Sequence, residues 1–68
     1  MYGNTYQIVA CDAQEQFVFV VGETTKKNAF VVARKLPLSP TWSAKGYYAI
    51  VRDSQGKLVF DSRKAIQQ

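Results

Sequence analysis

Residues 23–37, "ETTKKNAFVVARKLP", decide the fold. Read as a helix, the stretch is complete in itself. Thr24 or Thr25 caps it, because a threonine oxygen accepts from the N–H groups left free in the first turn. Ala29, Val32, Ala33 and Leu36 then fall at helical spacing as one apolar stripe. Arg34 and Lys35 suit the negative pole at the far end, and Pro37 stops the helix. Read as a strand, β-branched "AFVVA" would follow a "TTKKN" turn. The expectation is a helix over residues 24–36, with the strand as its alternative.

Outward from this stretch, both flanks read as hairpins. On the N-terminal side, "YQIVACD" (residues 6–12) sets Tyr6, Ile8 and Ala10 against Gln7, Val9 and Cys11. The polar "AQEQ" turns the chain into a second strand over residues 17–22. On the C-terminal side, strands over residues 47–53 and 57–62 flank "SQG", where Gly56 supplies the positive φ of a short hairpin loop. Between helix and second hairpin, "PLSPTWSAKG" with its two prolines reads as an irregular loop. The tail "RKAIQQ" reads as frayed, and no internal repeat, low-complexity run or linker stands out.

The expected fold is therefore α+β, in the order β-β-α-β-β. It is one domain over residues 1–68, an antiparallel four-stranded sheet with one helix on one face. If the middle stretch is a strand, the alternative is a small five-stranded barrel.

This layout raises a covering problem. Residues 17–21, "FVFVV", are apolar on both faces, whereas an antiparallel sheet with one wet face alternates apolar and polar residues. With Ile8, Phe17, Phe19, Val21, Tyr48, Ile50, Leu58 and Phe60 under the helix, the far face carries Val9, Val18, Val20, Tyr47, Ala49, Val51 and Val59. A spare apolar face of this kind marks an interaction or dimerisation site unless twist or barrel closure buries it.

Size sharpens the point. A chain of 68 residues buries only about 60% of the surface its unfolded form exposes. Cys11 is the single cysteine and there is no histidine, so neither an intramolecular disulfide nor a Cys–His zinc site is available. Association is the remaining way to bury apolar surface. The longest apolar runs, five residues, are far short of a membrane span, and "MYGNTYQ" lacks the regions of a signal peptide. The expectation is a soluble cytoplasmic protein with no membrane association. Net charge is +4, which favours acidic partners such as nucleic acid or an acidic protein surface.

Catalysis finds no support in the residues. Without histidine the commonest general base near neutral pH is absent, the five carboxylates show no joint spacing, and no phosphate-binding glycine loop occurs. Cys11 lies on an apolar strand with no predicted basic neighbour and reads as a buried thiol. No cofactor or metal is expected, and the chain reads as a non-enzyme.

Binding is better provided for. Lys26, Lys27, Arg34 and Lys35 fall within ten residues, and on a helix Lys27 and Arg34 share a face. Lys45, Arg63 and Lys64 extend the set. Trp42 and the following Tyr47 and Tyr48 are candidate contact aromatics, since both types serve as hot-spot anchors and base-stacking platforms; Trp42 as a plug for the end of a small core is the competing reading.

The sequence of a hairpin, a "TTKKNAFVVARK" helix and "YYAIVRDSQGKLVFDSR" resembles, in arrangement and size, small α+β proteins of phages and mobile elements. Anti-CRISPR proteins and phage inhibitors of host RNA polymerase are among them. The resemblance implies an inhibitor that occupies a surface of a host macromolecular or nucleoprotein complex. The basic charge points away from DNA mimicry. Two other functions stay open: direct nucleic-acid binding through the basic helix face with Trp42 or Tyr47 stacking, and a homo-oligomeric structural role, as a dimer closed over the spare sheet face.

Overall fold

The residues that decide the fold make a helix. In the computed structural model, which describes residues 5–66 with side chains through Lys64, α1 spans Lys26–Lys35. Thr25 is its N-cap, with Oγ1 accepting from the Asn28 N–H at 3.4 Å, and Arg34 and Lys35 occupy the last turn. The chain tightens into a 3₁₀ turn, Leu36–Leu38, as Pro37 prevents the α-helix from continuing. Ala29 and Ala33 form the buried edge of α1, and their small side chains let the helix lie close on the sheet.

The strands are β1 (Tyr6–Cys11), β2 (Phe17–Thr24), β3 (Tyr48–Arg52) and β4 (Leu58–Asp61). They form one open antiparallel sheet in the order β2-β1-β3-β4, so the two hairpins meet through β1 and β3. The fold is α+β as expected, and the sheet does not close into the alternative barrel.

The two hairpins share one turn design and part of their pairing, though few of their residues are identical. "YQIVACDAQEQFVFVV" (residues 6–21) aligns with "YYAIVRDSQGKLVFDS" (residues 47–62), keeping the Tyr, Asp, Gln, Val and Phe positions. In the first turn, Asp12 Oδ1 accepts from the N–H groups of Gln14 and Gln16 at 2.9 Å. In the second, Asp53 Oδ1 accepts from those of Gln55 and Lys57 at 2.9 Å. Pairing corresponds as well: Val9, Ala10 and Cys11 face Val20, Phe19 and Phe17, while Ile50, Val51 and Arg52 face Asp61, Phe60 and Leu58. Each hairpin skips one residue at the same place, Val18 or Val59, in a β-bulge, and β2 skips a second, Val21, between the partners of Ile8 and Val9. The Val9–Ile50 pair maps onto itself, so a local two-fold axis passes through the sheet there.

Register also corrects the expected faces. Ile8 pairs with Val51 and Ala10 with Ala49, so these four lie together under α1, joined by Val18, Tyr47 and Phe60. Tyr48 and Ile50, expected under the helix, sit on the far face with Val9 and Cys11. The bulges break alternation in β2. Phe17 and Val20 follow their partners Cys11 and Val9 to the far face, while Phe19 follows Ala10 to the helix side and meets Trp42 edge-on at 6.1 Å.

The far face is not bare at its centre. Val9 is only 1% exposed, and Cys11 and Tyr48 are buried. Apolar exposure is instead concentrated on the outer strands, at Phe17, Phe19, Val20 and Val21 of β2 and Leu58 and Val59 of β4.

Two stretches expected to be irregular are ordered. Within residues 37–46, α2 runs Pro40–Lys45, with proline where its missing N–H costs nothing and Gly46 closing it at φ 74°. The tail expected to fray forms α3, Ser62–Ile66. Residues 67 and 68 of that expectation lie outside the described residues. Ser62 is buried, and its Oγ accepts from the Ala49 N–H at 3.1 Å, tying α3 to β3.

Candidate functional site

The outward surface of α1 gathers four of the seven residues expected to bind. Lys26, Lys27, Arg34 and Lys35 are all exposed on a ten-residue helix with no acidic residue. A buried inner edge of alanines fixes which side faces out, and none of the four makes an ion pair among the described residues. Two exposed apolar side chains adjoin them, Val31 on the helix and Leu38, 75% exposed, just beyond it.

On one flank the cations join an aromatic pair. Phe30 and Phe60 stack with ring centroids 4.8 Å apart and planes at 24°. Lys26 Nζ lies 5.9 Å from the Phe30 centroid and the Arg34 guanidinium 5.9 Å from that of Phe60. Phe60 reaches this position because the bulge at Val59 keeps it on the helix side of β4. Sequence reading missed Phe30 and Phe60. Their pairing needs β4 beside β3, which no local pattern announces.

The other candidates belong to a separate group. Lys45 is exposed with Nζ 5.6 Å from the Tyr47 ring, and Tyr47 is half-buried edge-on to Trp42 at 5.9 Å. Trp42 itself is 9% exposed and part of the main core. It plugs the core between Phe19 and Tyr47 and offers no free ring for a partner, which corrects its expected role as a contact aromatic.

Arg63 is also not the free cation expected. Its guanidinium donates to both Asp61 oxygens, at 3.1 and 2.7 Å, and lies 3.3 Å from a Glu15 oxygen. It stacks on the Tyr48 ring at 4.0 Å, covering the centre of the far face. The side-chain hydrogen bonds from Arg63 hold the Asp61 carboxyl below its ordinary range, against burial, which pushes the other way. Burial, reinforced by Cys11, pushes the Tyr48 phenol up. Arg63 is thereby part of the fold, and Lys64 is the exposed cation of α3.

Two open hollows lie on the surface of the described residues. One of about 380 Å³ is lined by Ala13, Pro37, Ser43, Tyr47, Tyr48 and Arg63. Another, of about 320 Å³, brings Gln7, Glu23, Arg52 and Asp53 together; there Arg52 donates to Gln7 Oε1 while its Nε stays buried without a partner. Among the described residues no three metal-ligating side chains converge, and no helix is long and apolar enough to cross a membrane. Comparison with protein-family models, curated proteins and solved structures returns no match.

Proposed function

We propose that this protein is a non-enzymatic binding module that seats the outward face of α1 on an acidic surface of a macromolecular partner in the cytoplasm. The observation that supports it is the combination on α1 of four exposed, unpaired cations, no carboxylate, and the flanking apolar Val31 and Leu38. A rigid helix fixes the spacing of the cations before binding, so no backbone has to be ordered, and apolar side chains among them add desolvated contact. An inhibitor of the phage or mobile-element kind would work in this way, by occupying a surface its target needs. Arrangement and size support that class.

Direct binding to nucleic acid is the second reading, and the Lys26–Phe30–Phe60–Arg34 ladder favours it. Half-buried rings between cations would meet a base or sugar while the cations meet phosphates.

The test compares two double variants of equal charge. Lys27→Glu/Arg34→Glu removes α1 cations, and Lys57→Glu/Lys64→Glu removes exposed cations elsewhere; each takes the net charge from +4 to 0. Binding to poly-L-glutamate, duplex DNA and single-stranded RNA is measured at low and moderate salt. The proposal expects the α1 pair to abolish binding while the control pair retains most of it. Equal losses would reduce the effect to net charge. RNA or DNA bound much more tightly than polyglutamate would establish the second reading.

A further inference from the structure

The two hairpins match in turn, in three paired positions and in one bulge, and then differ at the outer edges of the sheet. Where β4 has Asp61 and Ser62, β2 has Val20 and Val21. On β4, Asp61 is taken up by Arg63, the Ser62 hydroxyl accepts from Ala49, and the chain turns into α3, so the strand ends after four residues. That edge is short and carries a charge, two of the usual devices against edge-to-edge pairing.

β2 is twice as long, and its charge lies near one end. It runs eight residues to Thr24, contains no lysine or proline, and has Glu23 as its one charge. Phe17, Phe19, Val20 and Val21 are 61%, 43%, 43% and 37% exposed. Among the described residues no strand pairs with its outer side. β2 shares the bulge at Val18 with that of β4 at Val59, and has a second at Val21. What separates the edges is the length of β2 and its four exposed apolar side chains against two on β4.

We infer that β2 is a pairing edge for a second copy of this chain, the two β2 strands running antiparallel to make one continuous eight-stranded sheet. The ends of the strand favour self-pairing in that direction. Glu15, an exposed residue that also lies 3.3 Å from Arg63, precedes β2, and Lys26 and Lys27 follow it at the start of α1. Antiparallel pairing brings each acidic end to the basic end of the other copy, whereas parallel pairing would set like charges together. Glu23 then meets the apolar half of its counterpart and not another Glu23. The pairing satisfies the strand's free N–H and C=O groups and covers Val20 and Val21 together.

Sedimentation equilibrium of the full chain from about 1 µM to about 1 mM, with hydrogen exchange at both ends of that range, tests the inference. The expected result is a reversible monomer–dimer equilibrium, with β2 amides gaining protection as the dimer fills. Val20→Lys should weaken association at least about tenfold. Glu15→Lys should weaken it too, and mixing that variant with Lys26→Glu/Lys27→Glu should restore dimers. A monomer at every concentration, or a dimer whose β2 amides exchange as in the monomer, overturns the inference. The exchange data decide the matter even if Val20→Lys fails to fold.

Discussion

Glu15 holds, in the first hairpin, the left-handed backbone position that Gly56 holds in the second, at φ 66° against 82°. Two turns of one design thus differ in strain, because a side chain in this region costs about 1–2 kcal/mol that glycine does not incur. Glu15 has a compensating contact with Arg63, but the pair is exposed and such pairs contribute about 0–1 kcal/mol. Exchanging the residues separates the two effects. Glu15→Gly should stabilise the fold by about 0.5 kcal/mol, and Gly56→Glu should destabilise it by about 1 kcal/mol or more, both read from urea unfolding. A clear loss on Glu15→Gly would mean that the ion pair outweighs the backbone.

Trp42 closes the core between Phe19 and Tyr47. Trp42→Ala should cost about 3–5 kcal/mol, enough to unfold much of a domain this small, whereas Trp42→Phe should cost clearly less because a ring is kept. Thermal unfolding followed by circular dichroism checks both. If Trp42→Ala left stability unchanged while abolishing partner binding, the ring would be a contact residue after all.

Much of this layout was legible locally. Thr25, the alanine stripe and Pro37 each announce a start, a face or an end of α1, and Asp53 with Gly56 announces a turn. The faces were not legible. Alternation sorts the residues of one strand into two sets, but whether Ile8 shares a side with Ile50 or with Val51 depends on β1–β3 pairing between residues far apart in sequence. The bulges at Val18, Val21 and Val59 compound this, since a skipped residue reverses the sets partway along a strand. Pro40 and Gly46 did bracket a helix, but six residues between them are too few to show a periodicity. Arg63 looked like one more free cation because its partners, Asp61 and Glu15, come together only once both hairpins are folded.

Asp61 links that cluster to pH. Its pKa lies lower in the fold than in the unfolded chain, so unfolding takes up a proton as the solution becomes acidic. Its contribution is fully present above the unfolded carboxylate value, near pH 4, and disappears as pH falls through the lower folded value. The melting temperature should therefore fall as pH drops below about 4, and Asp61→Asn should flatten that decline while lowering stability at pH 7. An acid limb equally steep in both proteins would place the titration elsewhere.

Ser62 makes α3 part of the domain through one buried hydrogen bond to the Ala49 N–H. Ser62→Ala removes the acceptor and leaves a buried donor unpaired, at a cost of about 1–3 kcal/mol. Hydrogen exchange should show the Ala49 amide losing protection first. Unchanged exchange at Ala49 would mean that another group takes over as acceptor.

Everything functional in this account rests on the outward side of α1. The most direct measurement is amide chemical-shift mapping during titration with poly-L-glutamate. Shifts should concentrate over residues 26–38, with the Lys57 turn and the far face of the sheet unaffected. Perturbations centred on the hairpin turns or on Tyr48 and Arg63, with α1 silent, would contradict it.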